Sequence, residues 1–267
     1  MENNKKRKKI ITENFSKRNI TVYLVLRILV ILTLIRQCFL GNWNNVFLCV
    51  LTLILFLAPA FIDKKLDIQL PDALQVIILL FIYAAEILGE INEFYIVIKH
   101  WDTILHTING FLAAGIGFSL IDLLNENNKN INLSPVFVAI VAFCFSMTIG
   151  VLWEFFEYGA DTYFRYDMQK DYVISSISTV TLHPKKENVA IKVNGIDHTI
   201  LYDADGNELA VIEDGYLDIG IKDTMKDLFV NFIGAVAFSV IGYVYIKDRE
   251  KYKFADNFIP KKVENIK

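Results

Sequence analysis

Six long apolar runs limit what this chain can fold into more than any other feature of its sequence. They lie at about 20–40, 45–62, 73–89, 103–124, 136–158 and 228–246. Each approaches the roughly 20 residues that a helix needs to cross a bilayer. Hydrophobic residues make up 54% of the 267 residues and charged residues only 21%, a balance typical of membrane proteins. The sequence predicts an all-α polytopic membrane protein with about six transmembrane helices in a lipid bilayer.

Lysine and arginine are concentrated at the two ends of the chain. The arm 1–19 and the tail 247–267 are both strongly basic, as is the short loop "DKKLD", whereas the loop "GNWNN" has no positive charge. Because cytoplasmic segments of membrane proteins carry an excess of Lys and Arg, we expect both termini in the cytoplasm. Transmembrane helices one to five then occupy 20–160, and helix six occupies 223–246. Nothing in the charge pattern indicates nucleic acid as a partner.

The segment 161–222, between the fifth and sixth spans, has a different pattern. "VISSISTVTL", "VAIKV", "HTILYD" and "ELAVIE" alternate or are rich in β-branched residues, with turns at Asn194-Gly195 and "DADGN". They predict a β-rich extracytoplasmic insertion. Asp203, Asp205 and Asn207 resemble calcium ligands, but the glycine is misplaced for an EF-hand loop, which favours an ordinary hairpin turn.

Polar side chains recur at the predicted outer ends of five spans, mostly on one face of each helix. In the fourth span, positions i, i+4 and i+7 place Asp102, His106 and Asn109 on one face. Ionisable groups within spans are costly and usually face a partner or a watery cavity, so their repetition at one depth predicts a shared polar pocket. The predicted cluster consists of Arg36, Glu86, Asp102, His106, Asn109, Glu154, Glu157, Asp161, Asp223, Asp227 and Asn231.

Structural roles compete with function at these positions. Asp161 is best explained as a solvated helix end, and Asp102 and Asp223 equally well as helix caps or first-turn acids. Glu154, His106, Asp227 and Asn231 lie about one turn inside the apolar boundaries of their spans. Exposure to solvent is a poor explanation for polar residues at that depth. A polar network that holds the spans together stays open as an alternative.

Three functions fit such a cluster. The first is an intramembrane enzyme or binding site that acts at the level of lipids or envelope precursors, with a divalent metal as candidate cofactor. The second is a proton- or cation-coupled transporter. The third is a non-catalytic envelope scaffold, and oligomerisation is open for all three. The catalytic candidates are Glu154, Glu157, His106 and Asp227, and the metal-ligand candidates are Glu154, His106 and Asp227.

Three stretches carry a resemblance to a known family. "WDTILHTINGFLAAGIGFSL", "LWEFFEYGAD" and "DTMKDLFVNFIGA" together resemble the YjdF-like bacterial inner-membrane proteins, a family without an established activity. A looser likeness extends to VanZ-like proteins. The resemblance covers about residues 73–246 and implies a location in the bacterial cytoplasmic membrane. It also implies that the polar positions of these stretches match the family's motifs, while the insertion 162–222 departs from simpler relatives, which have a short loop there.

Overall fold

Six helices of the computed structural model are long and apolar enough to cross a membrane. The model describes residues 17–66, 68–127, 132–164 and 167–262, and the predicted arm 1–19 lies largely outside them. The six spans are Asn19–Leu40, Trp43–Lys65, Asp72–Ile91, Trp101–Asn125, Pro135–Phe164 and Ile221–Lys247. The prediction of six spans is confirmed. The fifth and sixth are longer than predicted, because polar turns extend both helices beyond their apolar parts.

The helices follow the spans closely. They are α1 Lys17–Leu40, α2 Trp43–Leu55, α3 Ala58–Leu66, α4 Asp72–Tyr83, α5 Phe94–Val97, α6 Trp101–Asn127, α7 Pro135–Phe164 and α8 Ile221–Lys247. A π-helical segment, Ala84–Ile91, continues α4, and a 3-10 helix, Lys253–Asn257, follows α8. The basic loop "DKKLD" is, up to Leu66, the end of α3.

The strands are short and pair only in twos. They are β1 Ile68–Gln69, β2 Val173–Ile174, β3 Ser176–Thr179, β4 Ile191–Asn194, β5 His198–Tyr202, β6 Glu208–Glu213, β7 Tyr216–Leu217 and β8 Lys261–Lys262. The antiparallel pairs are β1 with β8, β2 with β7, β3 with β4, and β5 with β6. Six of these strands lie between the fifth and sixth spans, in the segment where the sequence predicts β structure.

Only one of the two predicted turns joins paired strands. Residues 203–207 connect β5 to β6, as the sequence predicts. Asn194-Gly195 separates strands of different sheets, because β4 pairs back on β3 instead of with β5. Gly195 has φ +67, and the next amide, Ile196 N–H, donates to the Ser175 carbonyl. The expected Asn-Gly hairpin is therefore a corner between two sheets.

The chain divides into two compact units. The first unit comprises Met1–Gly150 and Phe229–Lys267, and the second comprises Val151–Leu228. Spans four, five and six contribute an aromatic core to the first unit, where Phe238 makes edge-to-face contacts with Phe111 and Phe118 at ring-centroid distances of 5.0 and 5.9 Å. A second cluster, centred on the fully buried Val30 and Cys49, joins spans one to three.

The segment after span six packs into the first unit. Arg249 Nη2 donates to both carboxylate oxygens of the buried Asp122 of α6, at 2.8 and 3.0 Å. The Tyr245 hydroxyl donates to Asp256 over 2.9 Å, and Ala255 and Ile259 belong to the buried core. Residues 263–267 of the predicted basic tail lie outside the described residues, but the part up to 260 is an ordered extension of the core.

Candidate functional site

A carboxylate and an imidazole form a close pair in the first turns of span four. The spacing i, i+4 on α6 brings Asp102 Oδ1 within 3.2 Å of His106 Nε2. His106 is buried, with 9% of its surface exposed. A carboxylate in this position favours the tautomer that carries its hydrogen on Nε2, which leaves the lone pair on Nδ1. The pair therefore presents an oriented imidazole within an apolar span.

The same two residues have a geometry that suits a cation. Two ligand atoms that are each about 2.1 Å from a metal, at tetrahedral or octahedral angles, lie about 3.0–3.4 Å apart. The Asp102 oxygen and the His106 nitrogen are 3.2 Å apart. One imidazole and one carboxylate form a donor set that suits Zn²⁺ or Mn²⁺. The pair can supply two of the ligands that such an ion needs.

Asn231 of span six lies at a junction of three helices in the first unit. Only 1% of its surface is exposed. Its Oδ1 accepts a hydrogen bond of 3.4 Å from Asn109 Nδ2 on span four, and its Nδ2 lies 3.7 Å from the sulfur of Met147 on span five. The junction therefore joins spans four, five and six through one buried amide.

Glycines make room for this junction. A Cβ atom on Gly110 would collide with the backbone carbonyl of Asn231, and one on Gly150 would lie 2.7 Å from Asn231 Nδ2. Ser146 of span five donates to the Gly110 carbonyl over 2.7 Å. A Cβ atom on Gly234 of span six would likewise collide with the Thr107 carbonyl of span four. Small residues thus let the three backbones approach, as is common where membrane helices pack.

Glu86 of span three lies in a part of the backbone that is not α-helical. Glu86 is half-buried and lies in the π-helical segment Ala84–Ile91. The Trp101 indole donates to the Ala84 carbonyl at the start of this segment, over 3.3 Å. π-Helical segments are rare and frequent at functional sites. Sequence reasoning placed Glu86 in the cluster but gave no sign of the π-helix, which has no reliable residue pattern.

In the second unit, two acids of span five are buried. Glu154 and Glu157 expose 5% and 7% of their surfaces. The Trp153 indole donates to Glu157 Oε1 over 2.7 Å, one helical turn along α7. The Trp153 N–H group therefore provides a hydrogen-bond partner for a buried carboxylate.

Asp161 and Asp223 of this unit, which the sequence placed in the cluster, accept hydrogen bonds from main-chain N–H groups, and so does Asp218. Asp161 accepts the N–H groups of Met168 and Gln169, at 2.6 and 2.8 Å. Asp223 accepts the Lys170 N–H at 2.9 Å. We call Asp161, Asp218 and Asp223 the carboxylate clamp, because together they bind the N–H groups of the segment 168–172. This contradicts the interpretation of Asp161 as a solvated helix end.

Asp218 is the member of the carboxylate clamp that sequence reasoning missed. It accepts N–H groups from both sides: Tyr172 at 2.8 Å, and Gly220 and Lys222 at 3.2 and 3.1 Å. The available signal was an Asp two residues before a Gly at the start of the last span, a pattern of helix N-termini. Partial desolvation, with repulsion from Asp167, Asp218 and Asp161, raises the pKa of the nearby Asp171 carboxyl.

Asp227 continues the face of span six that begins with Asp223. Asp223, Asp227 and Asn231 follow each other at four-residue steps along α8. Asp227 is 1% exposed, and the ammonium of Lys226 lies 3.5 Å from its Oδ1 and 2.9 Å from Asp223 Oδ1. Lys226 therefore offsets part of the negative charge that these buried acids bring into the span.

The structure brings some of the predicted residues together and leaves others apart. Within the first unit, the contacts are Asp102 with His106 and Asn109 with Asn231. Arg36 of the same unit is exposed and makes no ion pair or hydrogen bond with any residue that the structure describes. The single pocket that the sequence predicts for all eleven residues stays a prediction.

One family comparison gives a match. The family described as "Predicted membrane protein (DUF2238)" matches residues 19–248, which include all six spans. The chain belongs to the DUF2238 family. Comparison with curated proteins and with solved structures gives no match. This DUF2238 protein is therefore a multi-pass membrane protein, and its chemistry must be argued from its own residues.

Proposed function

We propose that this DUF2238 protein binds a divalent cation at Asp102 and His106 and uses it to bind or hydrolyse a ligand at the level of lipid headgroups. The observation that carries the proposal is the pair formed by the buried His106 imidazole and the half-buried Asp102 carboxylate, with donor atoms 3.2 Å apart in a membrane span. An ionisable pair within a span is costly and is usually retained for function. A lipid or a lipid-linked envelope precursor is the class of ligand that reaches this level.

The depth of the pair supports this choice of ligand. His106 is the sixth residue of α6, so it lies about 8 Å along the axis from the helix start at 1.5 Å per residue. The hydrocarbon core of a bilayer is about 30 Å thick, which places a residue this near a span end close to the headgroups. A water-soluble substrate would not need a site embedded in a span.

The chemistry follows from the residues of the pair. A bound ion would replace the hydrogen between Asp102 Oδ1 and His106 Nε2, and the imidazole would then carry its hydrogen on Nδ1. A bound divalent cation would supply Lewis-acid activation of a phosphate ester or of water. Glu154, Glu157 and Asp227 stay in the proposal as catalytic candidates on the strength of their sequence positions and burial.

A structural role is better supported for Asp161 and Asp223. Both accept main-chain N–H groups of the segment 168–172, and a carboxylate with such partners stabilises the chain that it binds. We therefore assign these two acids to the support of the segment between spans five and six. In this proposal, this part of the predicted cluster is structural and takes no part in the chemistry.

The location is part of the same proposal. The basic chain ends support cytoplasmic termini, and an even number of spans is compatible with them. Residues 173–217, with their six short strands, would then lie on the outer side. The resemblance of three stretches to YjdF-like proteins supports a bacterial cytoplasmic membrane.

The metal content of the purified full-length protein tests the proposal. Elemental mass spectrometry is applied to the wild type and to His106→Ala, Asp102→Asn, Glu154→Gln and His198→Ala. His198 is a matched control, because it also pairs with an aspartate, at 3.1 Å, but on an exposed strand. We expect about one equivalent of metal in the wild type and in His198→Ala, and loss in His106→Ala and Asp102→Asn.

Each result has a clear meaning. Glu154→Gln tests the metal-ligand role that the sequence predicts for Glu154: loss of metal would support that role, and retention would contradict it. A folded wild type without metal after dialysis against Zn²⁺ or Mn²⁺ would overturn the proposal. Equal losses in His106→Ala and His198→Ala would do the same, because they would indicate adventitious binding to surface histidines.

A further inference from the structure

An apolar groove lies between spans five and six, in the half of each span that belongs to the first unit. Its volume is about 270 Å³. Val136, Ala139, Ile140 and Phe143 line it from α7, and Val236, Ser239, Val240 and Tyr243 line it from α8. The two helices are adjacent here, and the Phe143 ring meets the Phe232 ring edge-to-face at 5.4 Å, one turn beyond the groove.

The groove has one apolar end and one positively charged end. At the second end, Tyr243 lines the groove and the ammonium of Lys247 lies 5.1 Å from the centre of its ring. Lys247 is the last residue of α8 and is exposed. Val136, at the same end, follows the first residue of α7, a helix with no acid in its first turn. The positive end of that helix dipole adds to the charge of Lys247.

From this geometry we infer that the groove binds one acyl chain of an anionic phospholipid, whose phosphate lies at Lys247. From Val136 to Phe143 the groove follows seven residues of helix, about 10 Å at 1.5 Å per residue. That is about a third of the hydrocarbon core of a bilayer, starting from its edge. The exposed ammonium of Lys247 has three N–H donors, which the oxygens of a lipid phosphate can accept.

The headgroup decides selectivity in this site. Lipid tails are as apolar as the groove, so a chain gains packing contacts there but little hydrophobic free energy. Acyl chains of the same length therefore bind alike, whatever their headgroup. The charge at Lys247 distinguishes an anionic from a zwitterionic headgroup. With the topology proposed above, this end faces the cytoplasmic leaflet, where anionic lipids are attracted to basic segments.

Native mass spectrometry of the full-length protein in detergent tests the inference. The probes are phosphatidylglycerol and phosphatidylcholine with identical acyl chains. We expect the wild type to retain phosphatidylglycerol preferentially, and Lys247→Gln to reduce this preference about fivefold, since one lysine near an anionic lipid contributes about 1 kcal/mol. Lys253→Gln is the matched control, because it removes the same charge from a lysine that already pairs with Glu250 at 2.8 Å; its preference should equal that of the wild type.

A second pair of variants tests the groove itself. Ala139→Phe and Val240→Trp fill it from opposite helices and should reduce retention of both lipids several-fold. Equal retention of the two lipids by the wild type would overturn the inference, as would equal losses in the Lys247 and Lys253 variants. Unchanged retention in both filling variants would also overturn it. A wild-type dimer that becomes monomeric in Ala139→Phe would assign the groove to a second copy of the chain instead.

Discussion

The two units of the chain contain the same pair of side chains in opposite surroundings. In the first unit, Asp102 and His106 lie 3.2 Å apart, with side chains 28% and 10% exposed. In the second, Asp197 and His198 lie 3.1 Å apart, with side chains 95% and 48% exposed. Water and salt screen the second pair, whose contribution to stability is therefore small. Because the two distances are nearly equal, burial distinguishes a site candidate from a surface ion pair.

Two helical glycines, one in each unit, also differ in their surroundings. Gly110 of the first unit packs against the Asn231 backbone, whereas a Cβ atom on Gly159 of the second unit would meet no atom of the described residues within 4 Å. Both glycines lie inside α-helices. A glycine in a helix costs backbone entropy, so close packing explains Gly110, and nothing in the structure explains Gly159. Residue type alone therefore does not reveal which positions are essential for the packing of the tertiary structure.

The largest effect is expected when one methyl group is added to Gly110. Gly110→Ala should destabilise the protein by at least about 1–3 kcal/mol, because the methyl group collides with a backbone carbonyl that cannot move without separating two helices. Gly159→Ala should stabilise it by about 0.5–1 kcal/mol through helix propensity. Thermal unfolding in detergent, followed by circular dichroism, measures both. Shifts of the same sign and size would contradict the packing described around Asn231.

The next prediction concerns the two histidine pairs. His106→Ala should reduce the free energy of unfolding by about 1–3 kcal/mol, because it removes a hydrogen-bonded partner from a carboxylate within a span. His198→Ala should change it by less than about 0.5 kcal/mol, as is usual for an exposed pair. Chemical unfolding of metal-free protein separates this effect from metal binding. If the exposed histidine proves as important as the buried one, burial is the wrong criterion.

The smallest effect is expected in the turn 203–207 of the second unit, whose stability should depend on pH. Hydrogen bonds from the Asn207 side chain and backbone, with those from the Asp205 and Gly206 amides, lower the pKa of Asp203. A carboxyl whose pKa is lower in the folded chain stabilises it above the unfolded pKa, about 4. That stabilisation is lost as the pH falls through the lower, folded value. We expect the Asp205 and Asn207 amides to be less protected near pH 3 than near pH 5, when each exchange rate is divided by the intrinsic rate of an unfolded chain at the same pH.

Asn207→Ala provides the control for this turn. It removes the side-chain donor to Asp203 Oδ2, which lies at 2.9 Å, so the pH dependence of exchange should shift to higher pH. Exchange in the buried helices of the first unit should not follow the Asp203 transition. An unchanged pH profile in Asn207→Ala would show that the turn is held by its backbone alone.

The sequence predicted the spans well because membrane crossing depends on a local property. About 20 consecutive apolar residues suffice to identify a span, whatever their neighbours. The face shared by Asp102 and His106 was equally predictable, because i and i+4 positions meet on every α-helix. Small pairs of strands are present, and six of the strands lie at 173–217, where β-branched alternation, which is also a local pattern, predicts β structure.

Pairing was not predictable in the same way. Asn194-Gly195 has the sequence of a hairpin turn, yet β4 pairs with β3. A short strand is marginal alone, and its partner is decided by contacts far along the chain. Asp161 shows the same limit: an acid at a helix end is solvated in most proteins, and here two N–H groups seven and eight residues later bind it. No periodicity in the sequence reports such a contact.

By itself, the sequence determined that this protein crosses a membrane, where its spans lie and which polar residues share a helix face. These follow from length, hydrophobicity and the helical repeat, which each segment has without the others. Only the tertiary structure decided that Asn231 lies against Gly110 and Gly150, and that Asp218 completes the carboxylate clamp. Burial and hydrogen-bond partners depend on which helices and loops meet, and that is a property of the whole packed chain.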